Sequence, residues 1–502
     1  MSPHVRPDAE EGSFTASRER FESVLGFLRG TEAAALSHAE LETRLDTDGR
    51  ALLRQLFSDH LELRALRERR VQVVDADGSV RGRVEHGHTR VLATMFGEVG
   101  VARLAYRSPG QPNLHPADAG LNLPEQRHSH GLRRLAAIES SRGSFDDAVQ
   151  AIERATGQQL GKRQTEKLAG RTAVDFDAFY AQRKPPPGAT DDVLVLTCDG
   201  KGVVMRPDAL RPATATAAAK ATPKLATRLS KGEKRNRKRM AEVGGVYDVT
   251  PIGRTVTDIL PSNDENHVDT PGPTAVNKWL IASVVDDTAT VISQVFAEAD
   301  RRDPTHRRPT IALVDGNSHQ IERIEAEAKA RSIEVTIIID LIHVLEYLWK
   351  AAWCFHDEGN PAAEAWIRDK ATAVLGGQAR QVAATIRRQA TRQRLGATKR
   401  KGADSCANYL TSKSPYLDYP TALERGWPIA TGIIEGACRH LVKDRMDLTG
   451  ARWGLDGAET ILKLRALRIN GDWDEYWDYH LAQEQQRIHL SRYADNAIPQ
   501  AA

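Results

Sequence analysis

Two hydrophobic runs end in Asp-Gly: LVLTCDG, which closes on Asp199 and Gly200, and IALVDG, which closes on Asp315 and Gly316. Either one alone reads as an ordinary turn, because Asp-Gly is turn chemistry wherever it stands. As a pair on strands expected to lie side by side, they set two carboxylates at neighbouring strand ends. A third acid follows in TGIIEGACRHLVKDRM, where helical spacing puts Glu435 on one stripe with Cys438, Val442 and Met446. The rest of that stripe is apolar, so Glu435 is expected to face the sheet. An inward carboxylate is costly unless it is paired or binds metal; the alternative partner is a local arginine, Arg439 or Arg445. Three carboxylates without a His or Cys cluster suit a hard cation, Mg²⁺ or Mn²⁺ in its place. Two such ions about 3.5–4 Å apart can activate a water or a 3′-hydroxyl and stabilise the leaving oxygen of a phosphodiester. The chemistry that these acids would perform is phosphoryl transfer, with Asp199, Asp315 and Glu435 as metal ligands.

Asp340 and His343 follow the apolar run TIII at a spacing that shares one helical face. His343 either orients a carboxylate or phosphate beside the acids, or is a buried histidine bonded to Asp340; both readings stay open. The formal net charge of +3 says little, but its distribution says more. Arg228, Lys231, Lys234, Arg235, Arg237, Lys238 and Arg239 stand against one acid, Glu233, and a second basic region runs from Arg380 to Lys401. Localised positive charge on a near-neutral chain suits a polyanion, though a solvated helix face or basic loop is the plainer reading of either run alone. Around Glu435, the side chains Arg439, Lys443, Arg445 and Arg452 with Trp453 are candidates to grip phosphates and stack on an unpaired end base. Otherwise they are surface charge beside a core tryptophan.

The elements that must position these groups can be read from periodicity. Residues 15–70 repeat helically, and the segments 80–86 and 89–106 alternate with glycines like a small β-meander or hairpin. Residues 131–180 read as three short helices, with Ser144 as an N-cap and a stop at Gly157. The helix opening with Lys162, Arg163 and Lys167 resembles the second helix of a helix-turn-helix, although plain helical hairpins look alike. Lys184-Pro-Pro-Pro-Gly188 is a stiff linker and the clearest boundary. Beyond it come strands expected at 192–205, 243–252, 278–287, 310–317 and from 335, with helices at 291–302 and 319–331. Residues 355–428 carry only helical candidates, followed by helices at 431–447 and 456–469. The expected division is 1–130, a helical region with the small β-meander; 131–183, a DNA-binding helical unit; 190–354 with 429–480, a catalytic α/β domain; 355–428, an all-α insertion; and 481–502, a tail.

At 502 residues the chain is long enough for several cores, and its 40% hydrophobic and 27% charged content is that of a soluble globular protein. No apolar run approaches the roughly 18–20 residues that cross a bilayer, and the N-terminus has no apolar signal region. A cytoplasmic location and no membrane partner are therefore expected. The four cysteines, Cys198, Cys354, Cys406 and Cys438, are scattered with no C-x-x-C pair, which argues for free thiols.

Several blocks together resemble the Kra-type family of bacterial insertion-sequence transposases, related to the Mutator-like group. They are KRMAEVGGVYDVTP, KWLIASV, TIALVDGN, IDLIHVLEYLWKAAWCFH, PIATGIIEGACRHLVKDRMDLTGARWG and LRALRINGDWDEYW, spanning about 190 to 480. The resemblance implies a ribonuclease-H-like catalytic core interrupted by the helical insertion. It implies two Mg²⁺ ions held by Asp199, Asp315 and Glu435, with His343 in support. The substrate would be double-stranded DNA: the element's terminal inverted repeats, bound through the N-terminal region, and a target; Lys162, Arg163 and Lys167 of the helix-turn-helix-like unit and the basic residues Lys234, Arg235, Arg237, Lys238 and Arg239 are the candidate DNA contacts read from the residues themselves. A homo-oligomer would join both ends. A non-catalytic DNA-binding regulator, or a nuclease of the same fold, are the alternatives.

Overall fold

The computed structural model describes residues 12–499 except 186–187, 190, 221–229, 261–269 and 431. They fall into two compact units, Met1–Ala181 with Gly471–Ala502, and Gln182–Asn470.

In the first unit, helix α1 (Thr15–Arg29) and the long helix α2 (His38–Arg67) form an antiparallel hairpin. The Ser17 amide and hydroxyl both donate to Asp59, and the Arg44 guanidinium lies 4.6 Å from the Phe27 ring centre. A capping box of Ser37 and Glu40 fixes where α2 begins. Strands β1 (Arg83–Thr94) and β2 (Gly97–Arg107) then pair antiparallel across a two-residue turn, with Gly97 at a φ of 126°. The hairpin anticipated from the alternation is what forms.

Helices α3 (His130–Arg142), α4 (Phe145–Thr156) and α5 (Lys162–Thr172) pack on one another, and α6 (Phe176–Gln182) follows. Four short helices thus stand where three were expected. The chain breaks between α5 and α6 to turn Asp175 inward, where it meets His480 and Arg487. Ser144 does cap α4, reciprocally with Asp147, and Gly157 ends it in the left-handed conformation.

The second unit is built on one five-stranded mixed sheet. Its strands are β3 (Val193–Val204), β4 (Lys238–Val249), β5 (Ala275–Ser283), β6 (Thr310–Val314) and β7 (Thr336–Ile339). They lie in the order β5-β4-β3-β6-β7, with β3, β4 and β5 antiparallel and β6 and β7 parallel to β3. Both faces are covered, which is why Val193–Cys198 reads as an unbroken buried run. On one face, α7 (Thr288–Arg302) approaches so closely that a Cβ on Gly244 would lie 2.6 Å from the Val295 side chain. Helix α8 (Ser318–Arg331) joins β6 to β7.

On the other face, Val195, Tyr247 and Leu313 share one core with α9 (Leu341–Ala352). The same core takes in α10 (Pro361–Leu375), α11 (Ala379–Arg392) and α12 (Ala397–Ser412). The segment 355–428 shows no strand among its described residues, but its core is continuous with that of the sheet. Helix α13 (Gly432–Ala437) runs into a π-helical turn, Cys438–Lys443, and α14 (Leu455–Asn470) covers the sheet edge. There the Leu280 amide donates to Asn470 Oδ1, and Asn470 Nδ2 donates back to the Leu280 carbonyl. Satisfying an edge strand in this way blocks its pairing with another chain.

Helix α15 (Trp473–Ile488) belongs to the first unit. Residues 471–480, expected to close the catalytic domain, therefore group with the N-terminal unit. Arg133, almost wholly buried, donates to both Glu484 oxygens at 2.6 and 2.7 Å and lies 3.1 Å from His480 Nε2. His480 Nδ1 is 2.7 Å from Asp175. A neutral His480 satisfies both contacts, donating from Nδ1 to Asp175 and accepting from Arg133 at Nε2.

Candidate active site

β3 and β6 pair in parallel through Leu194↔Thr310 to Thr197↔Leu313. Carried two residues further, that register sets Asp199 level with Asp315, and strand alternation turns both to the face that receives the helices. Both carboxyls are partly exposed. Asp199 Oδ1 accepts from the Gly200 amide at 2.6 Å, and Asp315 Oδ1 from the Asn317 amide at 2.7 Å. No ion pair among the described residues includes Asp199, Asp315 or Glu435.

The neighbouring thiols and phenol register the two carboxylates. Burial, then the charges of Asp315 and Asp199, push the Cys198 thiol up. Burial and then Asp315 push the Tyr409 phenol up. Burial and then Asp199 push the Cys438 thiol up, with Glu435 adding a smaller contribution. Two carboxylates outside any ion pair, with Lys201, among the described residues, the one cation that acts on this neighbourhood through Cys438, make an electronegative cluster suited to a cation.

Glu435 departs from its expected direction. It is exposed on α13, whereas Cys438, Val442 and Met446 of the same expected stripe are buried. The stripe presumed an uninterrupted α-helix, but the turn after Ala437 is π-helical, and α13 is a six-residue segment whose buried residues are Ile434 and Ala437. Cys438, not Glu435, reaches the strand: its thiol donates to Asp199 Oδ2 at 3.2 Å. Among the described residues no group of three or more His, Cys, Asp and Glu side chains converges as a ready metal cage.

Asp340 is buried and caps α9 by accepting from the Ile342 amide at 2.7 Å. His343 lies 3.7 Å from Glu346 on its own helix, so the alternative of a buried histidine bonded to Asp340 is not what forms. Tyr409, from the insertion, donates to the Asp315 carbonyl at 2.8 Å and stacks on Tyr347 with ring centres 3.9 Å apart. Gly316 beside it has a φ of 89°, and a Cβ there would lie 2.8 Å from the Tyr409 oxygen. Cys438 was legible as a stripe residue. Tyr409 carries no local signal, because it reaches Asp315 from 94 positions along the chain.

The basic residues divide. Lys238 and Arg239 open β4, with the Lys238 stem over Gly202 and Arg239 Nε donating to the Val284 carbonyl. Lys234 is half-buried and lies 3.4 Å from the Cβ position of Gly450, while the backbones of Val204 and Arg206 bond Trp453. Tertiary structure thereby joins Lys234, Arg237 and Lys238 with Arg452 at one end of the β3–β4 ribbon. Arg228 lies outside the described residues, and only the backbone of Arg235 is described.

Arg439, Lys443 and Arg452 are exposed. Arg445 and Trp453 are not: both are buried, with the guanidinium 4.7 Å from the ring centre and the indole donating to the Met446 carbonyl. The expectation that these two grip DNA is corrected, because a buried indole with its donor spent on backbone cannot stack on a base. On α5, Arg163 and Lys167 are exposed, and Lys162 pairs with Asp146 at 2.5 Å. Arg380, Arg388, Arg392, Arg394 and Lys399 are exposed on α11 and the segment after it.

No family model matches the sequence, and no curated protein matches it.

Proposed function

We propose that the chain is a DNA transposase of the acidic-triad type, acting on the ends of its own mobile element. The observation that carries the reading is the pair Asp199, in β3, and Asp315, just past the end of the adjacent parallel strand β6, both outside any ion pair among the described residues. The strand order β5-β4-β3-β6-β7, with a glutamate-bearing helix after an all-α insertion, supports a ribonuclease-H-like core. The resemblance of the blocks between about 190 and 480 supports the same reading.

The donor set fits a hard divalent cation: Asp199 and Asp315 supply oxygens, with Glu435 on the helix that Cys438 ties to Asp199. Bound there, Mg²⁺ or Mn²⁺ would supply Lewis-acid activation of a phosphodiester and its attacking hydroxyl. The residues of the chain do the rest. Tyr409 and the Gly316 turn hold Asp315 at its strand end. Glu435, exposed, is placed to turn toward the aspartates when DNA and cation neutralise them. Lys234, Lys238, Arg439, Lys443 and Arg452 offer cations to the phosphate backbone, and α5 with Arg163 and Lys167 offers a groove-reading helix.

Asp199→Asn, Asp315→Asn and Glu435→Gln should each leave affinity for a terminal-repeat duplex within a few-fold while lowering Mg²⁺-dependent end cleavage by at least a hundredfold. A variant that still cuts ends refutes the ligand assignment. A second reading, a DNA-binding regulator without catalysis, is favoured by the outward Glu435 and the absence of a convergent triad among the described residues. Under that reading the wild-type protein binds its repeats and cuts nothing in Mg²⁺ or Mn²⁺.

A further inference from the structure

Helix α9 leaves the candidate site with one face in the core and another open to solvent. It starts after Asp340, whose amide donates to the Val314 carbonyl at 2.8 Å, one position before Asp315. Leu341, Val344, Leu348, Ala351 and Ala352 are buried. Ile342, Glu346, Lys350 and Trp353 recur at steps of four, four and three, the spacing of a single helical face, and all four are exposed. Trp353 is 40% exposed, and it stacks on half-buried Trp349 with ring centres 5.0 Å apart and planes inclined by 29°. Trp349 thus supports one side of an indole that remains accessible.

Helix α12 lies alongside and supplies cations. Gly402 packs so closely on α9 that a Cβ there would overlap the Lys350 carbonyl, which brings the first turns of α12, with exposed Lys399 and Lys401, beside the tryptophan end. Further along, Arg387 of α11 donates to Asn408 Oδ1 at 2.8 Å. At the far end, Lys413 Nζ donates to Ser318 Oγ at 2.7 Å, three positions past Asp315. Cations therefore accompany α12 from Trp353 to the Asp315 turn. Of the acids nearby, Asp404 is paired with Arg400, Glu346 lies 3.7 Å from His343, and Asp357 and Glu358 come after Trp353.

The aromatic and basic features together select the ligand. An apolar stripe alone would fit a partner helix. An accessible indole flanked by lysines fits a base on a phosphodiester chain, whose π-face stacks while its phosphates meet the cations. A duplex keeps its bases stacked on one another and leaves no face free for Trp353, so the strand is single. From Ile342 to Trp353 the open face runs about 16 Å, the length of a few nucleotides.

We infer that the open face of α9 and the adjoining start of α12 bind single-stranded nucleic acid, with Trp353 stacked on a base and Lys350, Lys399 and Lys401 on the phosphates. This rests on the proposed function only for its direction, an unpaired segment led along α9 to the Asp315 turn. Binding is measured in EDTA, apart from the chemistry assigned to Asp199 and Asp315, so failure of either reading leaves the other standing. The full chain should bind oligo(dT) of about fifteen nucleotides with quenching of tryptophan fluorescence. Trp353→Ala should lower that affinity about tenfold, the worth of one stacked base, with unchanged circular dichroism and unchanged affinity for a blunt duplex. Trp353→Phe should keep most of the affinity and lose part of the quenching. Lys399→Glu with Lys401→Glu should weaken binding at least tenfold and flatten its dependence on salt. An abasic strand of the same length should bind at least fivefold more weakly than oligo(dT). A preference between oligo(dT) and oligo(U) then names DNA or RNA as the source of the strand. Undiminished single-strand affinity in Trp353→Ala, or an abasic strand bound as tightly as oligo(dT), overturns the inference. An equal loss of duplex affinity in Trp353→Ala assigns the face to duplex and likewise overturns it.

Discussion

At the scale of single residues, the candidate site is defined by what surrounds its acids. Asp199 and Asp315 have backbone amides, a thiol and a phenol nearby, and none of the ion pairs. Gly316 is the residue whose substitution should report on this most directly. Gly316→Ala places a Cβ in a left-handed conformation and against the Tyr409 oxygen, a strain of about 1–3 kcal/mol. Stability in urea should fall by that amount, and under the proposed function end cleavage should fall further, because the turn carries Asp315. A variant of unchanged stability and activity would dismiss the turn as a constraint. Trp453→Ala should behave as a core truncation, costing about 3–5 kcal/mol in chemical denaturation. If it instead keeps its stability and loses only DNA affinity, the burial of the indole is misread.

At the scale of elements, one close approach and one irregular turn fix how the helices meet the sheet. Gly244 lets α7 settle on β4, so Gly244→Ala forces the Val295 side chain away. The expected cost is about 1–3 kcal/mol, read as a lowered unfolding midpoint with unchanged m-value. The π-helical turn Cys438–Lys443 has a different consequence. It follows directly on the helix that buries Ile434 and Ala437, and Cys438 opens it on their side while Glu435 stays outside. Such turns recur at functional sites, and this one decides which side chain of the helix reaches Asp199.

At the scale of the molecule, acid should act first on the unit formed by Met1–Ala181 and Gly471–Ala502. Burial lowers the imidazoles of His115, His128, His130 and His489 below their ordinary value. A histidine lowered on folding takes its proton more readily when unfolded, so its contribution is present above about pH 6.5 and lost as pH falls toward the folded value. Asp175 adds to this at lower pH: burial alone would raise it, but His480 and Arg487 outweigh burial and hold it below the usual range. Its contribution is lost as pH falls beneath the ordinary carboxylate range. Thermal melts at pH 7.5 and 5.5 should show this unit losing several degrees, followed through Trp473 and Trp477 on α15. An unchanged midpoint would mean that these imidazoles are already solvated.

What the sequence determined by itself was the local and the periodic: the run of strands from β3 to β7, the capped start of α4 and its glycine stop. The Asp315-Gly316 strand end belongs to the same class, whereas Asp199-Gly200, expected to end its strand, lies inside β3, whose pairing with β4 carries it on to Val204. These features depend on neighbours within a few positions, where side-chain alternation and turn chemistry leave few choices. Only the tertiary structure decided that Asp199 and Asp315 stand level, since their parallel register is set across 116 positions. It also decided that Trp453 is core, through strand contacts with Val204 and Arg206, and that Tyr409 holds the Asp315 turn. The direction of Glu435 turned on which flank of the helix the sheet covers: α13 buries Ile434 and Ala437, one position to the side of Glu435, a choice that a hydrophobic period leaves open.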